Sequence, residues 1–229
     1  MNETSDFWFL ENVDMFQFIC PSKMEAMGEE RRAEITFEFK RGEFIYFTNE
    51  VANQVYLLFS GRVKLGMYSE EGKEIIKSIL QPGELFGEMA IIGESVRRDF
   101  AMAMDDHVRV CVMGLKEMKQ LMYDDVDFSL KITRLIGLKL QRMERRLESL
   151  VFKDARTRIV DFLRDLGETK GTKVGDETLV LTFYTQKDIA SLTANSLQTV
   201  TSILNELRDQ NLIYFDRKRL LIRDMEMLK

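Results

Sequence analysis

The apolar residues change period once along the chain, and that change divides it. From about Phe37 to Met113 they come as short β-branched and aromatic runs, FEFKRGEFIYF, QVYLLFSGRVKLGMYSEEGKEIIKSIL, QPGELFGEMAIIG and VRVCVM. Gly42, Gly61, Gly72 and Gly83 interrupt these runs at intervals of 11 to 19 residues, the spacing of turns in an antiparallel sandwich or barrel. In SEEGKE a glycine that tolerates φ > 0 stands among solvated neighbours, a hairpin signal. After Met113 the period lengthens: Ile136, Leu140, Met143, Leu147 and Leu150 step by 4, 3, 4 and 3, which lays them along one stripe of a helix starting near Leu115 or Asp127. Ahead of the β-unit, residues 11–34 predict short helices packed on one side.

The helix has two apolar faces. Leu135 and Leu138 lie off the stripe and can cover the β-unit, while the stripe needs a second surface. Two readings fit, a single amphipathic helix buried in its own chain or a dimer seam formed by Ile136, Leu140, Met143, Leu147 and Leu150, and the second covers both faces. Lys139, Arg142, Arg145 and Arg146 remain for solvent or a pocket.

The last third predicts a separate small domain. It holds a helix in KDARTRIVDFLRDLGE, a loop in GETKGTKVGDET, a short strand in LVLTF, two helices, and a strand pair, IYFD and RLLIRD, joined by Arg217 and Lys218. Domain limits of 1–114, 115–151 and 152–229 follow.

Composition narrows the chemistry. Apolar residues make up 45% and charged residues 31%, with 2 Pro and 13 Gly among 229 residues, so the chain can build a core. Cys20 and Cys111 are the two cysteines and His107 the one histidine, too few for a disulfide framework, a four-thiolate iron–sulfur cluster or a His-rich metal site. A reducing cytoplasm is expected. MNETSDFWFL lacks a basic leader region, and no run approaches the ~20 apolar residues of a membrane span. Net charge is −5, but the part from Val151 onward carries 13 Lys+Arg against 12 Asp+Glu and the part before it 20 against 26. The acid sits at the front.

Function is carried by TQKDIASLTANSLQTVTSILNELRDQNLI. Ile189, Ala190 and Leu192 bury one helix, Thr193-Ala194-Asn195 turn the chain, and Ser196 caps a second helix buried through Val200, Ile203, Leu204 and Leu207. This is the pattern of a helix-turn-helix. Leu197, Gln198, Thr201 and Ser202, exposed on the first turns of the second helix, would meet base edges in a major groove. Ser196 and Thr199 can bond phosphate, and Thr185, Gln186 and Lys187 at the start of the first helix join the expected DNA-binding set. Arg217 and Lys218 would neutralise the flanking backbone as a wing. Against this stands a helical hairpin with no nucleic-acid role, which the wing disfavours. No nucleophile–base pair, metal spacing or phosphate loop points to an enzyme, so no catalytic residue is expected.

Phe152-Lys153-Asp154 with Arg158, TQKDIASLTANSLQTVTSILNEL and the upstream PGELFGEMAIIG together resemble the cyclic-AMP receptor protein and fumarate–nitrate regulator family, from about Phe16 to Leu221. The resemblance implies an α+β chain: an N-terminal β-roll of the cyclic-nucleotide-binding jelly-roll kind, a long dimerisation helix and a C-terminal winged helix-turn-helix. It implies a cytoplasmic homodimer, with no membrane contact, that binds a palindromic operator in double-stranded DNA and contacts RNA polymerase.

The resemblance also places an effector pocket at Phe86, Gly87, Glu88, Met89, Arg97, Arg98, Asp99, Met143 and Glu144. In nucleotide-binding members a Gly-Glu pair matching Gly87-Glu88 holds the ribose, an Arg-Ser pair the cyclic phosphate, and a Thr-Ser pair on the dimer helix the adenine. Without gaps these last two fall on Arg98-Asp99 and Met143-Glu144; one insertion brings Arg97 to the place of Arg98. Carboxylates at Asp99 and Glu144 oppose a phosphate and an adenine site, so cyclic AMP is not the expected effector, and Glu88 is expected to pair with an arginine that holds the loop. The cysteine count speaks against an iron–sulfur cluster. His107 and Cys111 are the candidate haem ligands and Cys20, before Pro21, a candidate redox thiol, but Cys111 within VRVCVM reads as core. The effector stays unidentified. The second function class is a cyclic-nucleotide-binding regulatory module acting through protein partners.

Overall fold

The computed structural model describes residues 36–228 apart from 73 and 182; the expected helices in 11–34 and the thiol of Cys20 lie outside the described residues. The chain divides after Leu138 into two compact units.

The first unit has eight strands: β1 (Thr36–Phe39), β2 (Phe44–Tyr46), β3 (Gln54–Ser60), β4 (Val63–Tyr68), β5 (Glu74–Leu80), β6 (Leu85–Phe86), β7 (Phe100–Ala103) and β8 (Val108–Gly114). They form two antiparallel sheets, ordered β1-β8-β3-β6 and β2-β7-β4-β5. Period two explains how β3 serves two cores. Tyr56 and Leu58 face the space between the sheets with Tyr46, Val63, Phe86, Ala101, Val108 and Val110, while Val55 and Leu57 face the other side. There they meet Leu85, Cys111, Met113 and the helical Met118, Phe128, Ile132 and Leu135. Each fully buried Phe, Leu or Ile in these layers contributes about 1.5–3 kcal/mol. The turn glycine Gly61 is required twice over, since its φ is 78° and a Cβ there would lie 2.8 Å from Val108 Cγ2.

Helix α1 (Leu115–Asp124) follows β8 directly, and α2 (Val126–Phe152) begins after a one-residue break. Both starting points expected from sequence are therefore helix starts. Asp125 makes the break: it is extended (φ −128°, ψ 104°), and its Oδ1 accepts a bond from Phe128 N at 3.0 Å, satisfying one of the free amides of the new helix. Phe128, Ile132 and Leu135 then bury against the first unit, and Ile136, expected on the exposed stripe, also packs against this core. Beyond the division, Leu140 (57%), Met143 (65%), Leu147 (62%) and Leu150 (42%) stay exposed.

The second unit opens with the end of α2 and then α3 (Ala155–Lys170), whose N-cap Asp154 accepts from Thr157 N at 2.7 Å. Residues 167–178, expected to be a loop, are not one. GETK completes α3, and TKVGDE folds as a hairpin of β9 (Thr172–Val174) and β10 (Glu177–Val180). Gly175-Asp176 is its two-residue turn, with Gly175 at φ 64°, the turn chemistry that matches strand twist. After α4 (Gln186–Thr193) and α5 (Leu197–Asp209) come β11 (Ile213–Phe215) and β12 (Leu220–Ile222), completing a sheet ordered β11-β12-β10-β9. Ile159, Phe162, Leu163, Leu166, Ile189, Val200, Leu204 and Leu207 are fully buried in this unit.

Candidate nucleic-acid interface and effector pocket

The helix-turn-helix is built by its caps. Thr185 caps α4 by accepting from Asp188 N at 3.1 Å, and its hydroxyl donates to Asp188 Oδ2 at 2.6 Å. Ala194 ends the helix in the left-handed region (φ 52°, ψ 47°) and Asn195 N returns to Ala190 O at 2.9 Å. Ser196 then caps α5, accepting from Thr199 N at 3.0 Å and lying 2.7 Å from Thr199 Oγ1. The hydroxyls of Thr185, Ser196 and Thr199 are thus engaged in the fold before any phosphate arrives.

On the first turns of α5, Leu197, Gln198 and Ser202 are exposed, whereas Thr199 and Thr201 are half-buried. Thr201 is turned inward: its Oγ1 lies 2.6 Å from Gln186 Oε1 and 2.8 Å from Leu197 O, and its one proton serves those two acceptors. Gln186 is half-buried beside it, and Lys187 on the next position of α4 is exposed. The expected base-reading set thus separates into three outward side chains and one, Thr201, that braces α4 against α5.

The wing is shaped by Asp216. Its Oδ1 accepts from Lys218 N (2.7 Å) and Arg219 N (2.8 Å), and its Oδ2 from Arg219 Nε (3.2 Å). Those backbone bonds, that of Lys218 first, hold the carboxyl below the usual carboxylate range. Arg217 and Lys218 at the tip are exposed. With Leu181, Asp216 and Arg219 they line a groove of about 490 Å³.

In the first unit one of the two expected arginines enters the roll. Arg97 is 2% exposed. Its Nη1 donates to Gly87 O at 2.9 Å and its Nη2 to Gln54 O, and its Cζ lies 4.6 Å from the ring centre of Tyr46 and 5.6 Å from that of Tyr56. Tyr56 stacks on Phe86 at 5.0 Å. Arg98, the ungapped match, points the other way, with 85% of its side chain exposed and an ion pair to Glu94 at 3.2 Å. Gly87 has to be glycine here: φ is 73°, and a Cβ would sit 2.9 Å from Arg97 Nη1 and 3.1 Å from the Tyr56 ring.

Asp99 is neutralised locally, by Lys77 Nζ at 2.6 Å and by the Tyr46 hydroxyl, which donates to Asp99 Oδ1 at 3.2 Å. Burial, and then the Asp99 charge, push the Tyr46 phenol well above its usual value; burial also raises that of Tyr56. Glu88 is half-buried at the head of a 3-10 turn (Glu88–Ala90), and Met89 is 42% exposed. Met143 and Glu144 are exposed on the part of α2 that belongs to the second unit. Tyr46, Tyr56 and Lys77 were not among the expected pocket residues; the tyrosines in FIYF and QVYLL were the available signal, since a polar-tipped ring in a strand needs a partner when it turns inward. His107 is 85% exposed and bonds Glu38 at 2.8 Å, Cys111 is buried core, and no metal-holding cluster occurs among the described residues.

Two family models match the chain: the cyclic nucleotide-binding domain over residues 36–125 and the Crp-like helix-turn-helix domain over 157–229. The CRP-like cAMP-activated global transcriptional regulator of Mycobacterium tuberculosis is 28% identical over 219 residues, covering 96% of both chains. The global nitrogen regulator of Synechocystis is 25% identical, over 86% of this chain and 88% of its own. A CooA variant from Carboxydothermus hydrogenoformans superposes with a TM-score of 0.74 at 24% identity, covering 90% of this chain and 92% of that one, a likeness of fold.

Proposed function

Since the chain belongs to the cyclic-AMP receptor protein and fumarate–nitrate regulator family of transcription regulators, we propose that it is a homodimeric, sequence-specific DNA-binding regulator, not an enzyme, working in the cytoplasm on a palindromic operator and through RNA polymerase. The observation that carries this reading is the capped α5, which presents Leu197, Gln198 and Ser202 to solvent while Val200, Ile203, Leu204 and Leu207 anchor it. A rigid helix with a short polar and apolar tip suits a major groove. Arg217 and Lys218 on the wing supply the cations that a phosphate backbone requires.

Residues 1–114 act in this reading as sensor, 115–151 as the dimerisation helix and 152–229 as DNA reader. The exposed Leu140, Met143, Leu147 and Leu150 form a stripe that a second copy would cover by knobs-into-holes packing. The family pattern of Arg, Glu and Arg on the recognition helix falls here on Leu197, Gln198 and Ser202. Glutamine pairs with adenine N6 and N7, and leucine touches a thymine methyl, so an A/T-weighted half-site follows.

The sensor reading is that cyclic AMP is not the effector. Lys77 and Tyr46 offset the charge of Asp99; support comes from Arg97, whose guanidinium is already bonded to two carbonyls and stacked on Tyr46. Two of the five N–H donors that a phosphate would use are thus already engaged.

Selection of binding sites from random duplex DNA by the full-length protein tests the reading. A two-fold symmetric, A/T-weighted site supports it. Recovery of no preferred sequence overturns specific operator binding, and a guanine-centred palindrome overturns the assignment of Leu197, Gln198 and Ser202.

A further inference from the structure

Helix α2 ends at Phe152 and α3 begins at Ala155, leaving Lys153 and Asp154 as the junction. Arg158, on the first turn of α3, directs its guanidinium at four acceptors. Its Nη1 donates to Lys153 O at 2.8 Å, its Nε to Thr193 O at 2.9 Å, and its Nη2 to Asn195 Oδ1 at 2.7 Å and Ala194 O at 3.3 Å. The first acceptor belongs to the junction. The other three belong to the turn of the helix-turn-helix, some 35 residues further along the chain.

That turn needs holding. Ala194 sits at φ 52°, ψ 47°, a left-handed conformation that costs a non-glycine residue energy unless its surroundings over-determine it. The surroundings do so through side chains. Asn195 Nδ2 donates toward Thr193 O (3.2 Å) and Thr193 Oγ1 (3.0 Å), and the Thr193 hydroxyl donates to Ile189 O (2.7 Å). Ser196, the next residue, caps α5, so the direction in which Leu197 and Gln198 leave the turn depends on the geometry that Arg158 closes. Only a planar fork with five N–H donors can reach four acceptors from one position; an ammonium cannot. These donors are committed to protein acceptors, which separates Arg158 from the exposed cations of the wing.

We propose that Arg158 is a positioning residue for base readout: its guanidinium ties the α2–α3 junction to the turn that aims α5, so that the two geometries vary together. The proposal rests on the reading of α5 as the DNA reader.

The test uses full-length Arg158→Lys and Asn195→Ala, measured against the selected site and a random-sequence duplex over a salt series, with protein melting recorded alongside. Arg158→Lys keeps the charge and loses the fork. Its specific affinity should fall roughly ten- to hundredfold, the effect of losing charge-assisted hydrogen bonds, while non-specific binding and salt slope stay as in the wild type. Asn195→Ala, which removes one of the acceptors, should move the specific-to-non-specific ratio in the same direction by less. A salt slope reduced by about one phosphate in an uncharged Arg158→Met variant, with Arg158→Lys at wild-type affinity, would make Arg158 a backbone contact and overturn the proposal. So would a lowered melting temperature with the ratio intact, which marks a stabilising role only. A wild-type chain without sequence preference sinks the reading of α5 and this proposal with it; a preference that survives both substitutions sinks the proposal alone.

Discussion

The guanidinium carbon of Arg97 lies 4.6 Å from the centre of the Tyr46 ring, while the Tyr46 hydroxyl donates to Asp99. One side chain thus touches both the cation and the anion, which do not pair with each other. The cation turns instead to the carbonyls of Gly87 and Gln54, and the anion to Lys77.

The first prediction follows from that arrangement. Arg97→Ala removes a desolvated cation–π contact, about 2 kcal/mol, and leaves two carbonyls to find new donors. Thermal melting of the purified variant should fall by several degrees, and cyclic AMP should leave the wild-type melting point unchanged. A rise in the wild-type value with cyclic AMP, lost in Arg97→Ala, would make Arg97 a phosphate ligand.

A second concerns assembly. Leu140 and Leu147 are 57% and 62% exposed on α2, and a continuous apolar stripe on a helix marks an interaction surface. Leu140→Lys together with Leu147→Lys should shift sedimentation toward monomer at micromolar concentration. If the doubly charged variant sediments as the wild type does, the interface lies elsewhere.

Base and backbone contacts should separate cleanly. Gln198→Ala should cost roughly 1–3 kcal/mol at one position per half-site. Arg217→Ala or Lys218→Ala should weaken binding to all sequences alike and lower the salt slope by about 0.9. Binding titrations on matched and mismatched duplexes at several salt concentrations distinguish them.

The wing should respond to acid. The Asp216 carboxylate accepts the amides of Lys218 and Arg219, which lowers its pKa in the folded protein. The stabilisation is therefore complete above the unfolded value near about 4 and is lost as pH falls through the lower folded one. Carboxyl NMR titration of Asp216 should give a midpoint below that of an unfolded peptide of the same sequence; an unshifted midpoint would mean that the carboxylate does not shape the turn.

Local patterns in the sequence determined the architecture. The apolar run QVYLL, the stripe through Leu140 and Leu147, and the cap signal at Ser196 each depend on contacts within a turn or a strand, so they can be read along the chain. The hairpin of residues 172–180 carried a local signal too, Gly175-Asp176, obscured by its polar surroundings.

Which arginine enters the roll was decided only by the tertiary structure. Arg97 and Arg98 are identical neighbours in sequence. Arg97 is held by distant backbone pairings, Arg97 N to Glu50 O and Asn49 N to Arg97 O, and the chain bends at Arg98 directly after it. A one-residue shift exchanges the buried cation for the exposed one. The same holds for Thr201, drawn inward by Gln186, for Ile136, captured by the core around Val55 and Leu57, and for Arg158, whose acceptors at the turn lie about 35 residues away. In each case the deciding partner is remote in sequence and becomes a neighbour only after the chain has folded.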